Sequence, residues 1–144
     1  MIDNKNFFVD ISGHHLLILI CSIGSENPKK YYGIKGNNFE KVLKIIKKNP
    51  NINIRIIIGG DFICYPCPKY DKNNKNCNIY PQNISKDKRM LEILKVNEND
   101  IRKFSELKKI IKKNINREKY EYIWGKKIED NVFSDFMKGL DLLY

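Results

Sequence analysis

A chain of 144 residues has room for one hydrophobic core, so residues 1–144 are expected to form a single domain. With 42% hydrophobic and 31% charged residues, the composition excludes wholesale disorder. The excess of 27 Lys and Arg over 17 Asp and Glu gives a net charge of +10, which suits phosphates or an acidic partner protein. The lysines, however, fall in pairs such as Lys47-Lys48 and Lys112-Lys113 without interleaved aromatics, the pattern of solvated helix faces, and nucleic acid is therefore the lesser reading.

Residues 7–11 read as a short strand, and Ser12 as the N-cap of a helix running from Gly13 through the apolar run at 16–20 to Cys21. That run is too short to span a bilayer and carries no small-residue cleavage site, so no membrane association is expected and the cytoplasm is the expected compartment. Glycines and Asn27-Pro28 break any period over residues 24–38, giving a long surface loop that carries Tyr31 and Tyr32 and is placed to cover a site. Phe39, Val42, Leu43, Ile45 and Ile46 follow helical spacing as far as Asn49-Pro50. The isoleucines at 52, 54, 56 and 58 keep the two-residue period of a strand, which ends at Gly59-Gly60. A helix is expected over 85–96 with Met90, Leu91, Ile93 and Leu94 inward, then Phe104-Ser105 as a cap before a helix over 106–114. A last amphipathic helix over 132–143 turns Phe133, Phe136, Met137 and Leu140 inward. The fold class is α+β, mostly helical, with a small sheet of two or three short strands.

Three of the four cysteines, Cys64, Cys67 and Cys77, form a C-x2-C-x9-C run just after the predicted strand, within a polar loop where core packing does not explain them. A C-x2-C step puts two sulfurs on one side of a tight turn, which suits tetrahedral zinc or an iron–sulfur cluster. A thioredoxin-like dithiol is disfavoured because Pro68 and the stretch 71–76 do not open the helix that such chemistry uses to activate its thiol. Unligated thiols in a reducing compartment are the bland alternative. A fourth ligand has Cys21, His14, His15 and Asp61 as candidates, of which His14 and Cys21 stand two helical turns apart, about 10 Å along the axis, too far to share one ion. The two histidines fall at the start of the first helix, where its dipole disfavours the imidazolium and at least one ring should be neutral. Neighbouring helical residues diverge by about 100°, so only one ring is expected to face a given site.

The segments Ser12-Gly13-His14-His15-Leu16-Leu17, Gly60-Asp61-Phe62-Ile63-Cys64-Tyr65-Pro66-Cys67-Pro68, then Cys77 and Lys86-Asp87 before Met90-Leu91, resemble the prokaryotic family catalogued as domain of unknown function 1284. The resemblance covers roughly residues 10–95 and runs more loosely to about 115. It implies an iron–sulfur or metal protein with Cys64, Cys67 and Cys77 as ligands and His14 and His15 as site residues. The chain departs from the family pattern at Ile18, where members carry a cysteine, and Cys21 lies one turn on. It departs again around Trp124, where Tyr120, Tyr122 and Ile123 stand in place of a cysteine pair, so one thiol centre is expected rather than two. The resulting expectation is one [4Fe–4S] cluster on Cys21, Cys64, Cys67 and Cys77, with zinc as the alternative. His14 and His15 are the catalytic candidates if the protein is an enzyme. A redox or protein partner would follow from electron transfer; oligomeric state and substrate leave no mark on the sequence.

Overall fold

The computed structural model describes residues 7–77 and 81–142. It is a helix-dominated α+β fold. In chain order come β1 (Phe8–Ser12), α1 (Gly13–Gly24), a 3-10 turn (Pro28–Tyr31), α2 (Phe39–Lys48) and β2 (Asn53–Ile57). There follow β3 (Tyr70–Asp71), β4 (Asn76–Cys77), α3 (Asn83–Leu94), β5 (Ile101–Lys103), α4 (Phe104–Asn114), α5 (Arg117–Trp124) and α6 (Asp130–Asp141). No helix among the described residues is long and apolar enough to cross a membrane.

Strand β2 occupies the centre of a three-stranded sheet ordered β1-β2-β5, parallel to β1 and antiparallel to β5. Ile54 and Ile56 are fully buried on one face of it, as the alternation predicts. A parallel pair cannot be closed by a hairpin, and the crossover is made by α1 and α2. This topology has a functional consequence. Both parallel strands end at the same edge, so the segment after β1, which holds His14 and His15, meets the segment after β2, which holds the cysteines. The register is reinforced by Arg55, whose guanidinium donates to both oxygens of its cross-strand neighbour Asp10 at 2.7 and 2.9 Å.

Helix α1 starts where Ser12 predicts and is buried almost all round, with Leu16, Leu17, Leu19, Ile20 and Cys21 at zero exposure. Helix α6 lies against it at very close range. A Cβ on Gly139 would sit 1.9 Å from the Ile20 carbonyl oxygen, and one on Gly24 would sit 2.0 Å from that of Asp135. Gly139→Ala is therefore expected to push α6 off α1 and lower stability by about 1–3 kcal/mol, as overpacked cores do. An unchanged urea midpoint would refute that.

Other boundaries differ from expectation for local reasons. Helix α3 begins at Asn83, two residues earlier than its apolar period shows, and α4 starts at Phe104 with Lys103 as its N-cap rather than Ser105. Ser105 instead donates its hydroxyl to Asn51. On α6, Phe136 and Leu140 are buried, but Met137 is exposed on the helix's solvent side. The short strands β3, β4 and β5 and the helix α5 carry too little periodicity to be read from the sequence.

Candidate metal and ligand site

The cysteine segment is folded by its own backbone. Asp61 opens a chain of turns in which the Cys64 N–H donates to the Asp61 carbonyl, the Cys67 N–H to that of Cys64, and the Tyr70 N–H to that of Cys67. The β3–β4 hairpin then brings Cys77 opposite Tyr70. Gly59, at φ +93°, and Gly60 allow that hairpin to fold back on the strand end: a Cβ on Gly60 would lie 2.1 Å from the Tyr70 ring. The Gly60 N–H closes the turn on the Lys75 carbonyl at 2.7 Å.

Two buried carboxylates organise the histidines. Asp61 Oδ2 accepts from the Ser12 N–H at 2.8 Å, the Ser12 hydroxyl at 3.1 Å and His15 Nδ1 at 2.7 Å. Its Oδ1 accepts from the Ile63 and Cys64 N–H groups. Asp87, on α3, accepts on Oδ1 from the His14 N–H at 2.9 Å and from His14 Nδ1 at 2.6 Å, and on Oδ2 from the Gly59 N–H. Carboxylates only accept, so each ring carries a proton on Nδ1. Neither Nε2 has a hydrogen-bond partner among the described residues.

Burial opposes charge on both members of the His15–Asp61 pair, and their mutual attraction outweighs it. The Asp61 carboxyl falls to about 2 and the His15 imidazole rises above its ordinary value. For His14, burial and the neighbouring His15 ring, 4.1 Å away, prevail over Asp87 and lower the pKa. The two shifts run in opposite directions, favouring the neutral ring at His14 and the imidazolium at His15. Burial, with Asp61 close by, raises the Cys64 thiol, which favours its neutral form in the absence of a cation.

His14, His15, Cys64, Cys67 and Cys77 all line one cavity of about 300 Å³. The expectation that only one histidine could face a site is corrected: Asp87 and Asp61 draw Nδ1 of the two rings from opposite sides and leave both on the same cavity. Tyr31 and Tyr32 also line it, so the 24–38 loop contributes to its wall. Ligand atoms of His15, Asp61 and Cys64 come within 4.8 Å of one another, close enough to hold an ion, and Cys67 and Cys77 lie outside that group. Both oxygens of Asp61 are already saturated by five donors, which suits a carboxylate that orients an imidazole better than one that binds metal itself.

Cys21 is not in this cavity. It lies two turns along α1, fully buried, with the Tyr120 hydroxyl 3.3 Å from its sulfur, and lines an adjoining cavity instead. Burial pushes its thiol up to about 12.

Several site residues escape sequence reasoning. Asp87 falls in the Lys86-Asp87 step of the family-like segment, where the sequence assigns it no role. Its signal is positional, since it shares a face with Met90 and Leu94 on α3, and a carboxylate on a core face must have partners. Trp124 ends α5 beside His14, ring centroids 6.5 Å apart, and α5 is anchored by the Arg89 guanidinium donating to the Ile123 carbonyl. Lys86 places its ammonium 4.2 Å from the Trp124 ring centroid. Burial and the nearby Lys126 and Arg89 lower its pKa.

Fold and site together define a helix-dominated α+β protein in which thiols and carboxylate-backed imidazoles share one cavity at the end of a parallel strand pair. The family model described as Protein of unknown function (DUF1284) matches residues 36–126, and the chain belongs to that family. The matched span takes in the three loop cysteines, Asp61, Asp87 and Trp124; it begins after the histidine segment and extends further toward the C-terminus than the residue resemblance. No curated protein and no solved structure matches the chain.

Proposed function

We propose that the protein holds one [4Fe–4S] cluster on the thiolates of Cys64, Cys67 and Cys77, with a histidine rather than Cys21 available for the remaining position. The observation that carries this reading is the shared cavity, which collects three thiols and two imidazoles whose Nδ1 atoms are backed by carboxylates and whose Nε2 atoms are unpartnered. Such backing orients a ligating histidine and raises its basicity. The cavity is larger than a single ion needs, and its walls include Ile18, Phe39 and Ile63, an apolar surround that keeps water from a cluster. A single tetrahedral ion would draw its thiolates to about 3.8 Å of one another, given zinc–sulfur bonds near 2.3 Å. Cys67 and Cys77 stand outside the close donor group, a spacing that a larger inorganic unit accommodates.

A bound cluster would supply electron transfer or an iron open to substrate. This chain's own residues would do the rest: His15, held by Asp61, is oriented toward the cavity, and neutral His14, held by Asp87, keeps a lone pair on Nε2 for accepting a proton. The reading is thus a redox protein or cluster-dependent enzyme. Zinc on three thiolates and one imidazole is the second reading, favoured by the carboxylate–histidine pairing common at zinc sites. Metal analysis of anaerobically purified protein separates them. A brown protein containing iron and sulfide that bleaches with dithionite is the expected result; a colourless one with one zinc per chain supports the second reading. Protein that takes up neither metal on reconstitution refutes both.

A further inference from the structure

The charge of the cavity is one-sided. Lys86 and Lys126 line it, and among the described residues no Asp or Glu does. Lys86 is 8% exposed, and its ammonium, which lies over the Trp124 ring, has neither a hydrogen bond nor an ion pair among the described residues. Its neighbour in sequence forms no direct pair with it: Asp87 commits both oxygens to His14 and the Gly59 N–H and acts on the ammonium only through its field. An ammonium withdrawn from water without an anion is costly, and a site that keeps one in that condition is suited to receive an anion from outside. A second feature agrees. Gln82 and Asn83, the N-cap and first residue of the twelve-residue helix α3, line the same cavity, and the first turn of α3 carries no acidic side chain. The positive end of the helix therefore opens on the side where Lys86 sits. The lining also includes the rings of Tyr31, Phe39 and Trp124.

We propose that the cavity binds a small organic oxyanion, a carboxylate or phosphate monoester on a flat apolar body, with the anionic group on Lys86 and Lys126 and the body against Trp124. As the substrate class of the metal centre this rests on the reading given above; as a binding site it stands on the lysines and the helix end alone. Empty, the cavity of about 300 Å³ lies at the small end of ligand pockets, and a bound centre would take part of that volume, so the ligand is no larger than a single ring.

Trp124 is the chain's one tryptophan, so its fluorescence reports on this cavity directly. The protein, loaded with metal, is titrated with phenyl phosphate, benzoate and uncharged benzamide, with calorimetry alongside. A saturable response to phenyl phosphate or benzoate and none to benzamide is expected, and the comparison of the two anions identifies the headgroup. Lys86→Met and the surface change Lys126→Met should each weaken binding roughly tenfold, Lys86→Arg should retain most of it, and Lys47→Met on α2 should change nothing. Should Lys86→Met prove unstable, Lys126→Met still decides. Absence of a saturable response to either anion overturns the proposal, as does equal binding of benzamide or wild-type affinity in both methionine variants. The Cys64→Ser protein keeps the two readings apart: anion binding retained without metal leaves the lysine site standing by itself, while full metal content in wild type with no anion binding removes only the site.

Discussion

Cys64→Ser is expected to lower the metal content of anaerobically purified protein roughly tenfold or more, and Cys67→Ser and Cys77→Ser to do the same, while Cys21→Ser keeps the wild-type content. The three loop thiols share a cavity with His14 and His15, and the turn from Asp61 through Cys64 to Cys67 is fixed by successive backbone hydrogen bonds, so the loss of one sulfur cannot be made good by a neighbour. Cys21 is separated from them by two turns of α1 and engaged by the Tyr120 hydroxyl. Serine there retains a partner for that hydroxyl, and its cost is confined to stability, about 1 kcal/mol. Iron, sulfide and zinc assays on the four variants decide the matter. Metal lost from Cys21→Ser and retained in Cys77→Ser would reverse the ligand assignment and restore the all-thiolate set that the sequence suggests.

The second large effect is expected at Asp61. Each of its oxygens accepts from a backbone N–H of fixed direction, Ser12 on one side and Ile63 and Cys64 on the other. No orientation of an asparagine avoids turning its NH2 toward one of them. Asp61→Asn should therefore destabilise the metal-free protein by about 3 kcal/mol or more, the cost of breaking a buried charged pair and stranding a buried donor. The same residue predicts part of the acid response. Its carboxyl is depressed from 3.8 to about 2 in the folded state, so its contribution, about 2 kcal/mol, is present above pH 3.8 and is lost as pH falls toward 2. His15 acts in the opposite sense: its raised pKa gives stability present below its ordinary value of 6.5 and lost as pH rises past the folded value. Urea midpoints should fall steeply in wild type as pH is lowered from 5 to 2 and fall less in Asp61→Asn. Parallel profiles would remove Asp61 from the account.

What could be read in advance follows from the range of the forces involved. Strand β2 and helix α2 announce themselves because their burial is periodic along the chain, and helix α1 because its run is continuously apolar; Ser12 stands at its start, although its hydroxyl is spent on Asp61 rather than on a helix N–H. The C-x2-C step is equally local, since its turn is closed by hydrogen bonds between residues three apart. The short strands β3 and β5 have two and three residues, too few to establish a period, and owe their conformation to the strands they pair with. Trp124 and Lys86 belong to helices that are unremarkable in isolation and acquire a role only by meeting.

The sequence by itself determined that this is an α+β protein rich in helix, that three thiols are delivered by one loop, and that a histidine pair heads the most apolar helix. Only the tertiary structure decided which of these meet. The parallel pairing of β1 with β2 carries the histidines and the cysteine loop to one edge, Asp61 and Asp87 turn both rings to the same cavity, and two turns of helix withhold Cys21 from it. Local patterns record the conformation of a segment. The company a side chain keeps across 46 or 73 residues, as His15 does with Asp61 and His14 with Asp87, is set by packing and by the need of every buried carboxylate for donors.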